Sequence, residues 1–126
     1  MALEYEQARR QAQAWVDASN RRDLDAVMAL FHEEMTHQGP FADRRLGLEN
    51  GTIEGKQAHR EFMQWLWEHQ QPPVRRVLEE VFTGTEGFAF VTRYDHDGTR
   101  LVFVWQVDAD GLVRNQRVYH APTPAP

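Results

Sequence analysis

The sequence predicts an α+β domain in which three N-terminal helices pack on a strongly curved antiparallel sheet that forms a cone. Three observations lead there. Apolar residues recur at three- and four-residue spacing through the first half of the chain. After Pro72-Pro73 the texture changes to short β-rich runs, the last three divided by Asp97-Gly98 and Asp110-Gly111. A chain of 126 residues, 41% hydrophobic and 26% charged, has enough apolar material for one core and too little length for two.

The first helix is read over Leu3–Ser19, where Ala8, Ala12, Trp15, Val16 and Ser19 form one stripe. Asn20-Arg21-Arg22 ends it, with Asn suited to the left-handed turn. Asp23 is placed to cap a second helix, whose buried face is Leu24, Val27, Met28, Leu30 and Phe31. A short strand is expected from Met35 to Gly39. The glycine-rich stretch from Pro40 to Gly55 reads mostly as loop. A third helix opens at Gly55 with Ala58, Phe62, Trp65 and Leu66 as its stripe and Met63 and Trp67 alongside; Pro72-Pro73 stops it. Four strands follow, over Val74–Thr83, Phe88–His96, Arg100–Asp108 and Leu112–His120. Residues 1–120 are expected to form the domain and 121–126, rich in Pro, a flexible tail.

Composition narrows the function classes. The net charge is −5, from 14 Lys+Arg against 19 Asp+Glu, which is the wrong sign for nucleic acid. There is no Cys, so disulfides, thiol catalysis and Cys-based metal sites are excluded. No apolar run approaches the ~20 residues of a membrane span, and the acidic start is unlike a signal peptide. The expectation is a cytoplasmic protein. His32 and His37 are five apart, where a helical zinc site needs four, and the Asp-Gly turns lack the spacing of a calcium loop. No metal and no cofactor are expected. Arg21-Arg22, Arg44-Arg45 and Arg75-Arg76 each have acidic neighbours and read as solvated surface.

Several segments carry a family likeness. Trp15-Val-Asp-Ala-Ser-Asn-Arg-Arg-Asp-Leu-Asp-Ala-Val-Met-Ala-Leu-Phe31 holds a helix, an Asn-x-x-Asp-Leu-Asp break and a second helix. Ile53-Glu-Gly-Lys-Gln-Ala-His-Arg-Glu-Phe62 enters the third helix, and Val107-Asp-Ala-Asp-Gly-Leu-Val113 with Arg117-Val-Tyr119 makes a last hairpin. In this order they resemble the nuclear transport factor 2-like superfamily, in particular its SnoaL-like and ketosteroid-isomerase-like branch. The resemblance runs over roughly residues 8–120 and implies the cone fold, not an activity. It implies where an isomerase would keep its machinery. The carboxylate base before a Pro corresponds to Gly39 before Pro40, and the oxyanion-hole Tyr to Trp15. The protonated Asp corresponds to Phe103, with Trp105 or Val107 as alternative registers. Base and both donors are replaced, so the chain is expected not to be a ketosteroid isomerase.

Strand periodicity then gives a candidate cavity. In phase with Gly39 are His37 and Phe41; on the last strand the phase selects Gln116, Val118 and His120. Trp15 and Ser19 enter from the first helix and Phe62, Met63 and Leu66 from the third, and the resemblance adds Phe103 and Trp105 from the penultimate strand. His37 is the first candidate acid or base, with His120 second; Gln116 could orient a carbonyl. The plainer alternatives are a buried His bonded to its surroundings and a rim residue, respectively. His59 is expected at the edge of its stripe, and His32 and His69 near helix ends. Two function classes follow. One is a cofactor-free isomerase, cyclase or dehydratase acting on an apolar carbonyl compound by proton transfer. The other is a non-catalytic module that binds a small apolar ligand or works through interaction. Val91, Val102 and Val104, with Arg93 and Arg117, lie in the outward phase of the strands, and an outer face this apolar predicts a homodimer.

Overall fold

The computed structural model describes residues 4–122. The start of the expected first helix and most of the Pro-rich tail lie outside the described residues. Four helices and six strands follow in the order α1 (Tyr5–Asn20), α2 (Leu24–Met28), β1 (Phe31–Gln38), α3 (Pro40–Leu46), β2 (Ile53–Glu54), α4 (Lys56–His69), β3 (Arg76–Thr83), β4 (Gly87–Tyr94), β5 (Arg100–Val107) and β6 (Val113–Ala121). The strands form one curved, unclosed sheet, ordered β2-β1-β6-β5-β4-β3. Neighbours are antiparallel except β1 and β6, which run parallel. No helix among the described residues is long and apolar enough to cross a membrane.

The elements form where local chemistry asks for them, with four corrections. The α1 helix runs through Asn20, and it is Arg22 that takes the left-handed conformation, at φ 57. Asn20 is freed for another task, described below. Asp23 does cap α2, accepting from the Ala26 N–H. That helix is only five residues long, so Phe31 belongs to β1, paired with Val113. The expected strand thus begins four residues before Met35, and His32 lies in it. The stretch read as loop contains α3, with Pro40 at its first turn and Gly47 at φ 69 as its left-handed end. The stripe of α4 is His59, Phe62, Met63 and Leu66, so His59 is fully buried and Ala58 lies at the edge.

The two turns read from Asp-Gly stand, with Gly98 at φ 76 and Gly111 at φ 81. Helix α1 packs across β3 and α4 across β1. The inward side chains of β4 and β5, Phe88, Phe90, Leu101, Phe103 and Trp105, meet Trp15 and Phe31 to form an aromatic core.

Candidate functional site

At the concave side of the sheet, between α1 and α4, lies a cavity of about 20 Å³, room for about one water molecule. Trp15 and Ser19 face it from α1, Phe62, Met63 and Leu66 from α4, and Phe103 from β5. From β1 and β6 come His37, Gln116 and Val118, and Gly39 and Phe41 follow β1. All eleven were expected there. Of Phe103, Trp105 and Val107, only Phe103 lines the cavity.

Two expected members are elsewhere. Trp105 is one inward step farther along β5 and packs among Phe31, Phe88 and Phe90. His120 is exposed, edge-on to Phe41 at 6.2 Å, and lines a separate polar groove with Gln38, Pro40 and Asp43. The strand phase selected it correctly, but β6 carries it past the cavity mouth. Three lining residues were not expected: Trp67, Arg76 and Leu101. Leu101 shares the period-two phase of Phe103, and Arg76 that of Leu78, so both signals were in the sequence.

Gly39 is extended, at φ 169, so its backbone admits any residue. What crowds a side chain is Val118, whose Cβ would lie 3.0 Å from a Cβ at position 39. The space expected beside His37 is thus narrow. A larger residue at this position would require Val118 to give by a few tenths of an ångström.

The polar groups of the cavity wall are wired in one direction. The Trp105 indole Nε1–H donates to Gln116 Oε1 at 2.7 Å. An indole N–H can only donate, so the amide orientation is fixed. Gln116 Nε2 lies 2.8 Å from His37 Nδ1. Since Nε2 donates, Nδ1 accepts, and the His37 proton sits on Nε2. His37 is 3% exposed. Burial pushes its pKa down from 6.5 to about 4. The ring is neutral near pH 7 and offers an N–H, not a lone pair. That makes His37 a fixed hydrogen-bond donor, suited to a carbonyl or a developing oxyanion and unsuited to abstracting a proton.

His59 stacks 5.1 Å from His37, and neither of its ring nitrogens has a hydrogen-bond partner. Burial, and then the neighbouring His37, hold its pKa well below the usual histidine value. The other histidines are peripheral. His32 accepts from the Glu34 N–H at Nδ1, His69 lies against the Trp65 carbonyl, and His96 is in an exposed turn. Among the described residues no three His, Asp or Glu side chains gather closely enough to hold a metal ion.

Arg76 and Arg22 overturn the reading of solvated surface. Arg76 is 8% exposed, and its Cζ lies 5.0–5.5 Å from the ring centroids of Trp15, Tyr94 and Phe103. Its position is set by Asn20, which accepts from the Arg76 N–H at 2.8 Å and donates to the Arg76 carbonyl at 2.9 Å. Half-buried Arg22 lies over the Trp67 ring at 5.5 Å and donates to the Ser19 carbonyl. Burial lowers the pKa of both guanidinium groups.

Comparison with known proteins places this architecture. Residues 12–121 match the model of the SnoaL-like domain. A SnoaL-like protein of unknown function from Burkholderia thailandensis superposes with a TM-score of 0.85 at 19% identity, covering 95% of this chain and 99% of that one. An NTF2-like protein of unknown function from Mesorhizobium loti gives 0.67 at 24% identity, covering 93% of each chain. A putative ketosteroid isomerase from Kribbella flavida gives 0.66 at 20% identity, covering 96% of this chain and 82% of that one. At these identities the likeness is one of fold. No curated protein matches the chain.

Proposed function

This chain belongs to the SnoaL-like domain family, and from that premise we propose that it binds a small, largely apolar molecule bearing a hydrogen-bond acceptor. The observation that carries this reading is the Trp105–Gln116–His37 chain of hydrogen bonds, which holds one N–H of fixed direction in a cavity wall that is mostly apolar. Binding is favoured over proton transfer. The position of an isomerase base is Gly39, and His37 already carries its proton at Nε2. His120, the second acid–base candidate, stands in the polar groove outside the cavity.

The cavity is nearly filled by its own side chains. Phe41 and Trp67 are the half-buried aromatic members of its lining. Their displacement is the opening that a ligand requires. Thermal unfolding against a panel of apolar carbonyl compounds tests the reading. A ligand at 100 times its dissociation constant should add about 2.7 kcal/mol, a rise in Tm on the order of 10 °C. Absence of a shift across the panel would leave the cone as plain core and remove this function.

A second reading concerns the outer face of the sheet. Phe82 is 55% and Tyr119 50% exposed, and in the strand register they flank half-buried Val102 and Val104. Val91, expected to be part of this exposed face, is itself buried between its ladder neighbours Glu80 and Val102. A second copy of the chain is the proposed cover for the remaining patch. Sedimentation at micromolar concentration should give a dimer that Phe82→Lys with Tyr119→Lys converts to monomer. A monomeric wild type would remove the dimer.

A further inference from the structure

The cavity contains a cation without a counter-ion. Arg76 has five N–H donors; Nη1 makes one long contact of 3.4 Å to Thr92 Oγ1, and the Tyr94 side chain beside it also favours its charge, which leaves most of the donors unused. Among the described residues no carboxylate lies within ion-pair distance of it: Glu79, on the same strand, is engaged by Arg93 and Arg100. The aromatic faces of Trp15, Tyr94 and Phe103 compensate the charge only in part. Guanidinium stays protonated in proteins, so burial does not neutralise it. A desolvated, unpaired charge is costly, and folds retain one where something else completes it.

Two further buried polar atoms share the same cavity without partners: Ser19 Oγ and Trp15 Nε1. They are four residues apart on α1, hence on one face. Indole can only donate, and a hydroxyl can donate. Arg22 adds a second positive charge behind Ser19 and Trp67. The lining thus offers donors from α1, β1 and β3 and carries positive charge at one end, in a protein whose net charge is −5.

We propose that the ligand of this cavity is an apolar carboxylate, its anionic head on Arg76, Ser19 and Trp15 and its apolar body against Phe62, Met63 and Leu66. The inference rests on the binding function above and specifies its substrate class. A neutral carbonyl satisfies the His37 N–H but leaves Arg76 uncompensated. A carboxylate accepts two parallel bonds from guanidinium, a geometry that a hydroxyl cannot copy. The Asn20 clamp fixes the Arg76 backbone before the ligand arrives, so the cost of binding lies in displacing Phe41 and Trp67 and not in placing the cation.

The test uses the intact protein and follows tryptophan fluorescence, since Trp15 lines the cavity. Phenylacetate, 2-phenylethanol and acetate are titrated in parallel. Phenylacetate is expected to bind at least about tenfold more tightly than either of the others, as a charge-assisted pair implies. In Arg76→Gln that preference should vanish while the alcohol still binds. Equal binding of acid and alcohol by the wild type would overturn the carboxylate assignment and leave the cavity function intact. Binding of acetate as tightly as phenylacetate would overturn it too, leaving a bare anion site. Failure of all three would remove both. The wild-type comparison stands alone if Arg76→Gln does not fold; Ser19→Ala then supplies the variant and should narrow the preference for the acid over the alcohol without abolishing it.

Discussion

Lowering the pH from 7.5 to 5.0 is expected to destabilise the fold by about 2 kcal/mol through His37 alone. In the unfolded chain this ring titrates near 6.5, and in the fold near 4 because it is buried. Between those values the unfolded state binds more protons than the native one, so stability falls as the pH falls. The stabilisation is complete above pH 6.5 and disappears as the pH approaches 4. His59, whose pKa is lowered in the same direction, steepens the loss. Urea unfolding at the two pH values measures it. His59→Leu should flatten the profile and hold or raise the stability at pH 7.5, because it removes two unpartnered buried nitrogens. A pH-independent midpoint between 5.0 and 7.5 would contradict the burial of both rings.

Gly87→Ala is expected to cost about 3 kcal/mol or more, at the upper end of overpacking changes. Gly87 opens β4 opposite Gln106, and a Cβ there would fall on the carbonyl of Trp105. The obstacle is backbone, so no rotamer relieves it. Only separation of β4 from β5 makes room, and that separation loosens Trp105 itself. Gly84→Ala is the matched control in the same loop, since its Cβ would meet nothing closer than the Gly87 carbonyl at 3.7 Å. It should shift the urea midpoint little. Similar midpoints for the two variants would refute the close approach.

Much of this was legible in the sequence. Period-two reading of strands and period-3.6 reading of two helices, with Gly39 and Phe103 supplied by the family likeness, together selected eleven residues that line the cavity. Those residues obey one local rule each. The misses arise where a local rule met a competing one. His59 sits at i relative to Phe62, Met63 and Leu66, but with Ala58 read as part of the stripe it fell one residue off, at the edge. Arg76 was in phase with Leu78, yet the adjacent Arg75 and the nearby acidic Glu79 made the pair look solvated. Four glycines hid α3, although Pro40 and Gly47 are a start signal and a stop signal. The parallel pairing of β1 with β6 is long-range and leaves no mark in either segment. The homodimer and the flexible tail stay as expectations from sequence.

The Trp105–Gln116–His37 chain crosses from β5 through β6 to β1, and its sense is dictated by the one member that does not touch the cavity. Exchange Trp105 for a residue without an N–H, and Gln116 is free to turn over. His37 would then carry its proton at Nδ1, donate a hydrogen bond from it to the amide oxygen and present a lone pair at Nε2. At His37 the cavity wall would change from donating to accepting, with every wall residue still in place. For a fold that hosts many ligands, this is a single-step route between chemically opposite guests, taken from behind the wall.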